Sequence, residues 1–217
     1  MKKRLVILDL NGFLVRRIHE RDTYDLSDAF LETADAHARP FFIWCRPHAR
    51  EFLTFLLQHF TVAVWTSARK YNAHQMVNTL IPDAGERKKL LFVWDQSQCQ
   101  DKSDDLPEDV KKKYLFTKPL AKVWQAFPDF NHTNTRIIDD SPAKMVDNPP
   151  HTHLVPSPWV DYVYHEDGDD DTGLVMEGEL VMALRKFLEE SAKPFACSRV
   201  VTEASTTLWV TSRNSST

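Results

Sequence analysis

Short apolar runs and amphipathic segments alternate along the chain, and this alternation predicts strands and helices in turn. The predicted strands lie in LVILDLNGFLV at 5–15, which Asp9 and Asn11 close, FFIWC at 41–45, TVAVWTS at 61–67, LLFVWD at 90–95, TRIIDDSP at 135–142, which breaks into a turn, and THLVPS at 152–157. The predicted helices are RPHAREFLTFLLQHF at 46–60, where Pro47 suits a first turn, KYNAHQMVNTL at 70–80, KPLAKVWQAF at 118–127 and EGELVMALRKFLEESAK at 177–193. Such alternation favours βαβ units, so we expect an α/β fold, a Rossmann-like doubly wound parallel sheet with helices on both faces.

Polar stretches set the expected limits of this domain. Residues 16–40 are polar and charged, which predicts a long surface segment, and SDDLPEDVKKK at 103–113 predicts an exposed insert. A chain of 217 residues with 42% hydrophobic content can bury one substantial core. We therefore expect one domain at 1–193, followed by a flexible tail rich in Ser and Thr at 194–217.

Charge and cysteine content exclude several classes of protein. The net charge of −4 gives no electrostatic footprint for nucleic acid, so no direct nucleic-acid partner is expected. Asp9 interrupts the first apolar run too early for a signal peptide or a membrane span. The three cysteines are odd in number and form no CxxC pair, which favours reduced, structural thiols. These features predict an intracellular protein, nuclear or cytoplasmic, without a membrane segment.

Polar side chains stand where three of the predicted strands end. Asp9 and Asn11 close the first strand, the hydroxyls of residues 66–67 close another, and the carboxylates of residues 139–140 close a third. The carboxyl ends of parallel strands meet at one edge of a sheet, where ligands bind in doubly wound folds. We expect these side chains to converge on one crevice.

The residue types predict a metal site and a phosphate site in that crevice. Asp9, Asp139 and Asp140 offer hard oxygen ligands of the kind that Mg²⁺ prefers. Lys118 and the Thr66 hydroxyl are donors that can hold a phosphoryl group.

Taken one at a time, these residues also allow a structural interpretation in place of a catalytic or binding one. An isolated aspartate such as Asp9 is more often structural than catalytic, and only the cluster reverses this. Thr66 and Ser67 are equally typical of a helix start. Lys118, which precedes Pro119, is compatible with a solvated residue at the start of a helix.

Four motifs together resemble the haloacid dehalogenase (HAD) superfamily of aspartate-nucleophile phosphatases. DLNGFLV resembles its first motif, VWTSA its second, Lys118 its third and IIDDSP its fourth, with a small insert between motifs two and three. RPHAREFL and VWTSARKYN are similar to the branch of small phosphatases that act on the RNA polymerase II C-terminal domain (CTD). That branch usually has Asp-Asn-Ser-Pro in its fourth motif, where this chain has Asp140. The resemblance covers residues 4 to about 192.

The resemblance implies a magnesium-dependent protein-serine/threonine phosphatase that uses an aspartyl-phosphate intermediate. The implied substrate is a phosphorylated protein or peptide, with the RNA polymerase II C-terminal domain as one candidate. The resemblance also implies catalytic roles for Asp9, Asn11, Thr66 and Lys118 and phosphate binding by Thr66, Ser67 and Lys118. It implies metal binding by Asp9, the backbone carbonyl of Asn11, Asp139 and Asp140.

Asn11 departs from the family pattern, in which a second aspartate protonates the leaving oxygen and later activates water. An amide does not titrate near neutral pH, and general acid–base help is typically worth ~10² to 10⁴ in rate. Three hypotheses remain: a slowed or otherwise rescued phosphoprotein phosphatase, a pseudophosphatase that binds a phosphopeptide or protein partner, and a small-molecule phosphatase for easily expelled leaving groups. The first is favoured because the other motif residues are all present.

Overall fold

The structure, a computed structural model, describes residues 3–105, 115–159 and 172–190. The strands in these ranges are β1 (Leu5–Leu8), β2 (Val15–His19), β3 (Ala36–Ala38), β4 (Phe41–Cys45), β5 (Thr61–Trp65), β6 (Val93–Trp94), β7 (Gln100–Asp101), β8 (Phe116–Thr117), β9 (Thr135–Ile138) and β10 (His153–Leu154). The helices are α1 (Asp28–Glu32), α2 (Ala49–His59), α3 (Lys70–Leu80), α4 (Ala84–Arg87), α5 (Leu120–Ala126) and α6 (Glu179–Glu189).

A central sheet has the strand order β10-β9-β1-β5-β6, and every pair in it is parallel. Leu5 in β1 lies opposite Thr61 in β5 on one side and Thr135 in β9 on the other. The chain adds strands on one side of β1 and then on the other, which is the doubly wound topology. The predicted parallel sheet is confirmed.

Helices cover both faces of this sheet because the side chains of β1 alternate between two cores. Val6 and Leu8 belong to one buried cluster, to which α2, α3 and α6 contribute their apolar faces. Leu5 and Ile7 belong to a second cluster, to which α5 contributes Leu120 and Val123. All four residues of β1 are fully buried, as expected for a strand with helices on both sides.

A separate antiparallel sheet, β2-β4-β3, corrects the prediction for residues 16–40. These residues are only partly surface loop, since they contain most of β2, all of α1 and all of β3. The physical reason is cross-strand pairing, because Arg17 pairs with Ile43 and its guanidinium lies 4.1 Å from the ring centre of Phe41. FFIWC forms a strand as predicted, but it belongs to this sheet rather than to the parallel one.

The start of α2 also differs from the prediction. The helix begins at Ala49, and Pro47 precedes it in a turn in which His48 has a φ of 61°. The left-handed residue redirects the chain, so Pro47 cannot occupy the first helical turn.

The predicted insert at 103–113 is flanked by β7 and β8, which pair as a two-stranded antiparallel sheet. Residues 106–113 of SDDLPEDVKKK, the adjoining Tyr114 and the predicted tail at 194–217 lie outside the described residues. Cys45 and Cys99 are both free thiols, as predicted, and Cys197 lies outside the described residues. The longest helices in the described ranges have eleven residues, and none has the length and apolar character needed to cross a membrane.

Candidate active site

Backbone pairing continues past the ends of three neighbouring strands and fixes the first polar residue after each. The Asp9 N–H donates to the Ile138 carbonyl at 2.9 Å, and the Thr66 N–H donates to the Trp94 carbonyl at 2.9 Å. The Asp139 N–H donates to the carbonyl of Leu154 at 3.3 Å. Parallel pairing therefore carries Asp9, Thr66 and Asp139 to the same edge of the sheet, which we call the carboxyl edge.

Lys118 joins two of these carboxylates. Its Nζ lies 2.7 Å from Asp9 Oδ1 and 2.5 Å from Asp139 Oδ2, and its side chain is fully buried. The interpretation of Lys118 as a solvated residue is therefore wrong, because two buried carboxylates offset the cost of burying its charge.

Asn148 fixes the backbone on both sides of Pro119. Its Nδ2 donates to the Lys118 carbonyl at 2.9 Å, and its Oδ1 accepts from the Leu120 N–H at 2.7 Å. The amide thus satisfies the start of α5 and holds the segment that carries the lysine. Sequence reasoning missed Asn148, although an Asn before two prolines is a turn signal.

Lys144 is a second cation at the carboxyl edge, and sequence reasoning missed it as well. Its Nζ lies 3.4 Å from Asp9 Oδ2, 3.1 Å from Asp139 Oδ1 and 3.8 Å from Asp140 Oδ1. Asp9 and Asp139 each present one oxygen to Lys118 and the other to Lys144, so the four groups form a closed ring of alternating charge. The sequence signal was its position four residues after Asp140.

The three aspartates differ in their electrostatic surroundings. Burial alone would raise the pKa of Asp139, but Lys118 and Lys144 hold that pKa below its ordinary value. Burial raises the pKa of Asp140 to about 6, Lys144 opposes the shift, and the charges of Asp9 and Asp139 reinforce it. Burial alone would lower the pKa of Lys144, because it disfavours the charged form. The three carboxylates outweigh this effect and raise the pKa of Lys144 above its ordinary value. Asp140 is thus a carboxylate that the protein side chains satisfy poorly.

Gly12 lets the first loop approach Asp140 closely. Its φ is 91°, and a Cβ atom at this position would lie 2.5 Å from Asp140 Oδ2. A side chain is therefore excluded both by backbone conformation and by space. Asp140 Oδ1 is buried and accepts no hydrogen bond from the residues that the structure describes.

These features fit a divalent cation at what we call the carboxylate cluster, Asp9, Asp139 and Asp140. One oxygen from each aspartate lies within 4.8 Å of the others. A buried carboxylate oxygen without a donor, beside two further carboxylates, is a donor set suited to Mg²⁺.

Thr66 and Ser67 lie at the same edge but do not begin the next helix. Helix α3 starts at Lys70, and its N-cap residue Arg69 provides no side-chain hydrogen bond. The helix-start interpretation of the two hydroxyls is therefore wrong. Thr66 is buried, and its Oγ1 accepts from the Ala68 N–H at 3.2 Å, which leaves the hydroxyl hydrogen available to a phosphoryl oxygen.

Asn11 follows the predicted nucleophile by two residues and is exposed. Its Oδ1 accepts a hydrogen bond from the Arg17 N–H at 3.0 Å, and the next carbonyl, that of Gly12, accepts from the Trp159 N–H at 2.7 Å. The amide of Asn11 therefore holds the turn that connects β1 to β2. Its predicted roles in catalysis and metal binding stay predictions.

The fold and the motif residues agree with comparisons to known proteins. Residues 4–198 match the model of the NLI interacting factor-like phosphatase family. The chain is 28% identical over 142 residues to a putative CTD phosphatase-like protein of Invertebrate iridescent virus 6, covering 62% of this chain and 75% of the viral protein. It is 25% identical over 170 residues to an uncharacterized FCP1 homology domain-containing protein of Schizosaccharomyces pombe, covering 73% of this chain and 62% of that protein.

Among solved structures, the fold is similar to that of the fission yeast RNA polymerase II CTD phosphatase Fcp1 bound to beryllium fluoride. The TM-score is 0.51 at 16% identity, and the match covers 76% of this chain and 44% of the Fcp1 chain. A second structure of Fcp1 gives a TM-score of 0.51 and covers 89% of this chain and 55% of that one. The chain thus spans about half the length of these solved relatives.

The chain belongs to the NLI interacting factor-like phosphatase family. The resemblance to the CTD-phosphatase branch of the HAD superfamily is thereby confirmed. Membership supports a HAD-type phosphatase, a class that generally uses Mg²⁺.

Proposed function

We propose that this protein is a Mg²⁺-dependent phosphomonoesterase that acts on phosphorylated protein or peptide through an aspartyl-phosphate on Asp9. The observation that carries the proposal is the bridge formed by Lys118, which lies 2.7 Å from Asp9 and 2.5 Å from Asp139. These residues are 109 and 21 positions from Lys118 along the chain, and all three side chains are buried. Buried charged groups that converge from distant segments at a sheet edge favour a chemical role over a structural one.

In the proposed reaction, a carboxylate oxygen of Asp9 bonds to phosphorus while the bond from phosphorus to the leaving oxygen breaks. Water then hydrolyses the acyl phosphate, which returns the carboxylate and releases phosphate. The Lys118 ammonium balances charge beside Asp9, and the Thr66 hydroxyl, with Ser67 next to it, donates to the phosphoryl oxygens.

The carboxylate cluster, together with the Asn11 carbonyl, would hold Mg²⁺. When bound, the ion supplies positive charge to the phosphoryl oxygens, which no neutral donor can match.

The relatives support the substrate class, which is part of the proposal. The solved Fcp1 is a phosphatase of the RNA polymerase II CTD, which is a phosphoprotein. We infer a phosphoserine or phosphothreonine peptide as the substrate of this chain, with that domain as one candidate.

The test of the nucleophile compares the parent with Asp9→Ala on para-nitrophenyl phosphate and on a phosphoserine peptide, each with Mg²⁺ and with EDTA. We expect Asp9→Ala to lose all measurable turnover. Asp95→Ala is a matched control, because Asp95 also follows a strand of the sheet but caps a local turn through the Ser97 N–H at 2.8 Å. Asp9→Ala turning over at the parent's rate would mean that the nucleophile lies elsewhere.

Asn11 favours a second candidate function, a pseudophosphatase that binds phosphopeptide without turnover. The Asn11 amide cannot protonate a leaving group. A serine alkoxide needs this proton, whereas a phenolate leaves without it. The proposed enzyme should therefore prefer aryl phosphates over phosphoserine more strongly than its Asn11→Asp variant does.

The variant Asn11→Asp separates the two candidates. A carboxylate can accept the same hydrogen bond from the Arg17 N–H, so we expect the turn to be preserved. If the rest of the site is competent, turnover of phosphoserine should rise by roughly 10² to 10⁴. Intact-mass analysis must exclude deamidation at Asn11-Gly12 in the parent. A folded, metal-binding variant that gains nothing on any phosphate ester would establish the binding function instead.

A further inference from the structure

Lys144 contacts every member of the carboxylate cluster, whereas Lys118 contacts two of them. The distances from Lys144 Nζ are 3.4 Å to Asp9, 3.1 Å to Asp139 and 3.8 Å to Asp140. One oxygen from each of these aspartates lies within 4.8 Å of the others, so a divalent cation shared by all three would bind the same carboxylates that Lys144 contacts. The ammonium group therefore lies beside the carboxylates that such a cation would bind.

The two lysines differ in their freedom to leave. The Lys118 side chain is 0% exposed, whereas that of Lys144 is 18% exposed. The backbone of Lys144 is fixed, because its carbonyl accepts from the Lys118 N–H at 2.7 Å and it lies in a short 3₁₀ turn, Pro142–Met145. Only the flexible side chain of Lys144 can move away from the cluster, and it can do so toward solvent.

We propose that Lys144 is an internal cation that neutralises the carboxylate cluster in the absence of metal and that a divalent cation must displace. The inference rests on the proposed function, because it takes the cluster as the Mg²⁺ site. In this role, Lys144 sets the free metal concentration at which the site becomes occupied.

The physical reason is the cost of buried negative charge. Asp9 and Asp139 are buried, and Asp140 Oδ1 is buried without a donor among the described residues. Lys118 compensates only one of the three charges, so a site without Lys144 would carry two uncompensated carboxylates. Lys144 lets the chain fold without metal, and the same contacts oppose metal entry because they occupy the ligand oxygens.

The first test measures Mn²⁺ affinity from the electron paramagnetic resonance signal of the free ion, for the parent, Lys144→Met and Lys102→Met. Lys102 is the matched control, since it is 23% exposed and its Nζ pairs with Asp147 at 2.7 Å. We expect Lys144→Met to bind Mn²⁺ at least roughly tenfold more tightly, because a like charge only ~4 Å away is removed. We expect the affinity of Lys102→Met to be unchanged.

Two results would overturn the inference. In the first, the parent binds Mn²⁺ and Lys144→Met binds it equally or more weakly. Lys144 would then not compete with the metal ion, and the proposed function would be unaffected. No Mn²⁺ binding by either protein would overturn the metal-dependent function as well.

A second measurement uses the unmodified chain and does not depend on how the variant folds. Acetylation by an N-hydroxysuccinimide ester, followed site by site with mass spectrometry, reports how accessible each lysine is. Saturating Mg²⁺ should raise the labelling rate of Lys144 several-fold, because displacement moves its amine to solvent, and leave that of Lys102 unchanged. Equal Lys144 labelling with and without saturating Mg²⁺ would contradict displacement.

Discussion

Cations hold both edges of the central sheet, but their partners differ. At the carboxyl edge, Lys118 and Lys144 face carboxylates. At the opposite, amino edge, Arg4 donates to the carbonyls of Phe187 and Glu190 at the end of α6. Arg136 lies 4.0 Å from the ring centre of Phe187, and its Nη2 is 3.4 Å from Glu190 Oε2.

This contrast separates buried charges that are candidates for chemistry from those that anchor the fold. Backbone carbonyls, an aromatic ring and the single carboxylate of Glu190 bind these arginines but make a poor site for a metal ion, so the amino edge serves to anchor the end of α6. Carboxylates can exchange an ammonium group for a metal ion or a phosphoryl group. The identity of the partners, rather than the presence of charge, distinguishes the candidate site from the structural anchor.

At the carboxyl edge, Lys118→Met is expected to cause the largest loss of unfolding free energy. The substitution leaves Asp9 and Asp139 short of a buried partner, so we expect unfolding to become easier by about 3 to 5 kcal/mol, measured by urea denaturation without metal. The double variant with Asp139→Asn should recover part of the loss, because it removes one uncompensated charge. A loss below about 1 kcal/mol would show that water already stabilises these carboxylates.

Asp140→Asn tests the least satisfied carboxylate through pH. The pKa of Asp140 is raised to about 6 in the folded chain, so ionisation opposes folding. This contribution lowers the parent's stability as pH rises from about 4 to about 6 and is then constant. In EDTA, the variant should therefore be more stable than the parent by up to about 3 kcal/mol at pH 8, with little difference near pH 4. A difference that does not change with pH would contradict the shift.

Asn148→Ala weakens the carboxyl edge without touching a charge. It leaves the Lys118 carbonyl and the Leu120 N–H without their partner, which should cost about 1 to 3 kcal/mol in urea denaturation. Asn148→Asp keeps the acceptor for Leu120 and should recover part of the stability. We also expect Asn148→Ala to lower turnover, since it loosens the segment that carries Lys118. Full activity in this variant would mean that Lys118 is positioned by its ion pairs alone.

Arg136→Met provides the contrasting change at the amino edge. Losing the contact with Phe187 and the pair with Glu190 should cost about 1 to 2 kcal/mol of unfolding free energy. Mn²⁺ affinity and turnover of aryl phosphate should match those of the parent. A shift in Mn²⁺ affinity as large as that expected for Lys144→Met would show that the two edges are coupled.

Much of the fold could be predicted because hydrophobic periodicity reports burial directly. The apolar run at 5–8 predicted a central strand, and the helical spacing at 70–80 matches α3 residue for residue. The strand β2 could not be predicted, because Arg16 and Arg17 look like surface residues until β4 lies beside them. Its stability is a property of the pair, which a local pattern does not contain.

The site shows the same limit. The end of each strand located Asp9, Thr66 and Asp139, since parallel pairing forces these ends together. Lys144 was missed because its role depends on a 3₁₀ turn that directs its ammonium group back over the strand ends. Apart from its spacing of four residues from Asp140, nothing local distinguishes it from a solvated lysine.

The hydrogen bond from the Arg17 N–H to Asn11 Oδ1 has an evolutionary consequence. Asparagine and aspartate both present an oxygen at this place, so either residue can close the turn between β1 and β2. Their codons differ by a single transition at the first base. A lineage can therefore exchange the two residues in one mutational step while selection on folding stays nearly neutral, which leaves the exchange open to selection on properties other than stability.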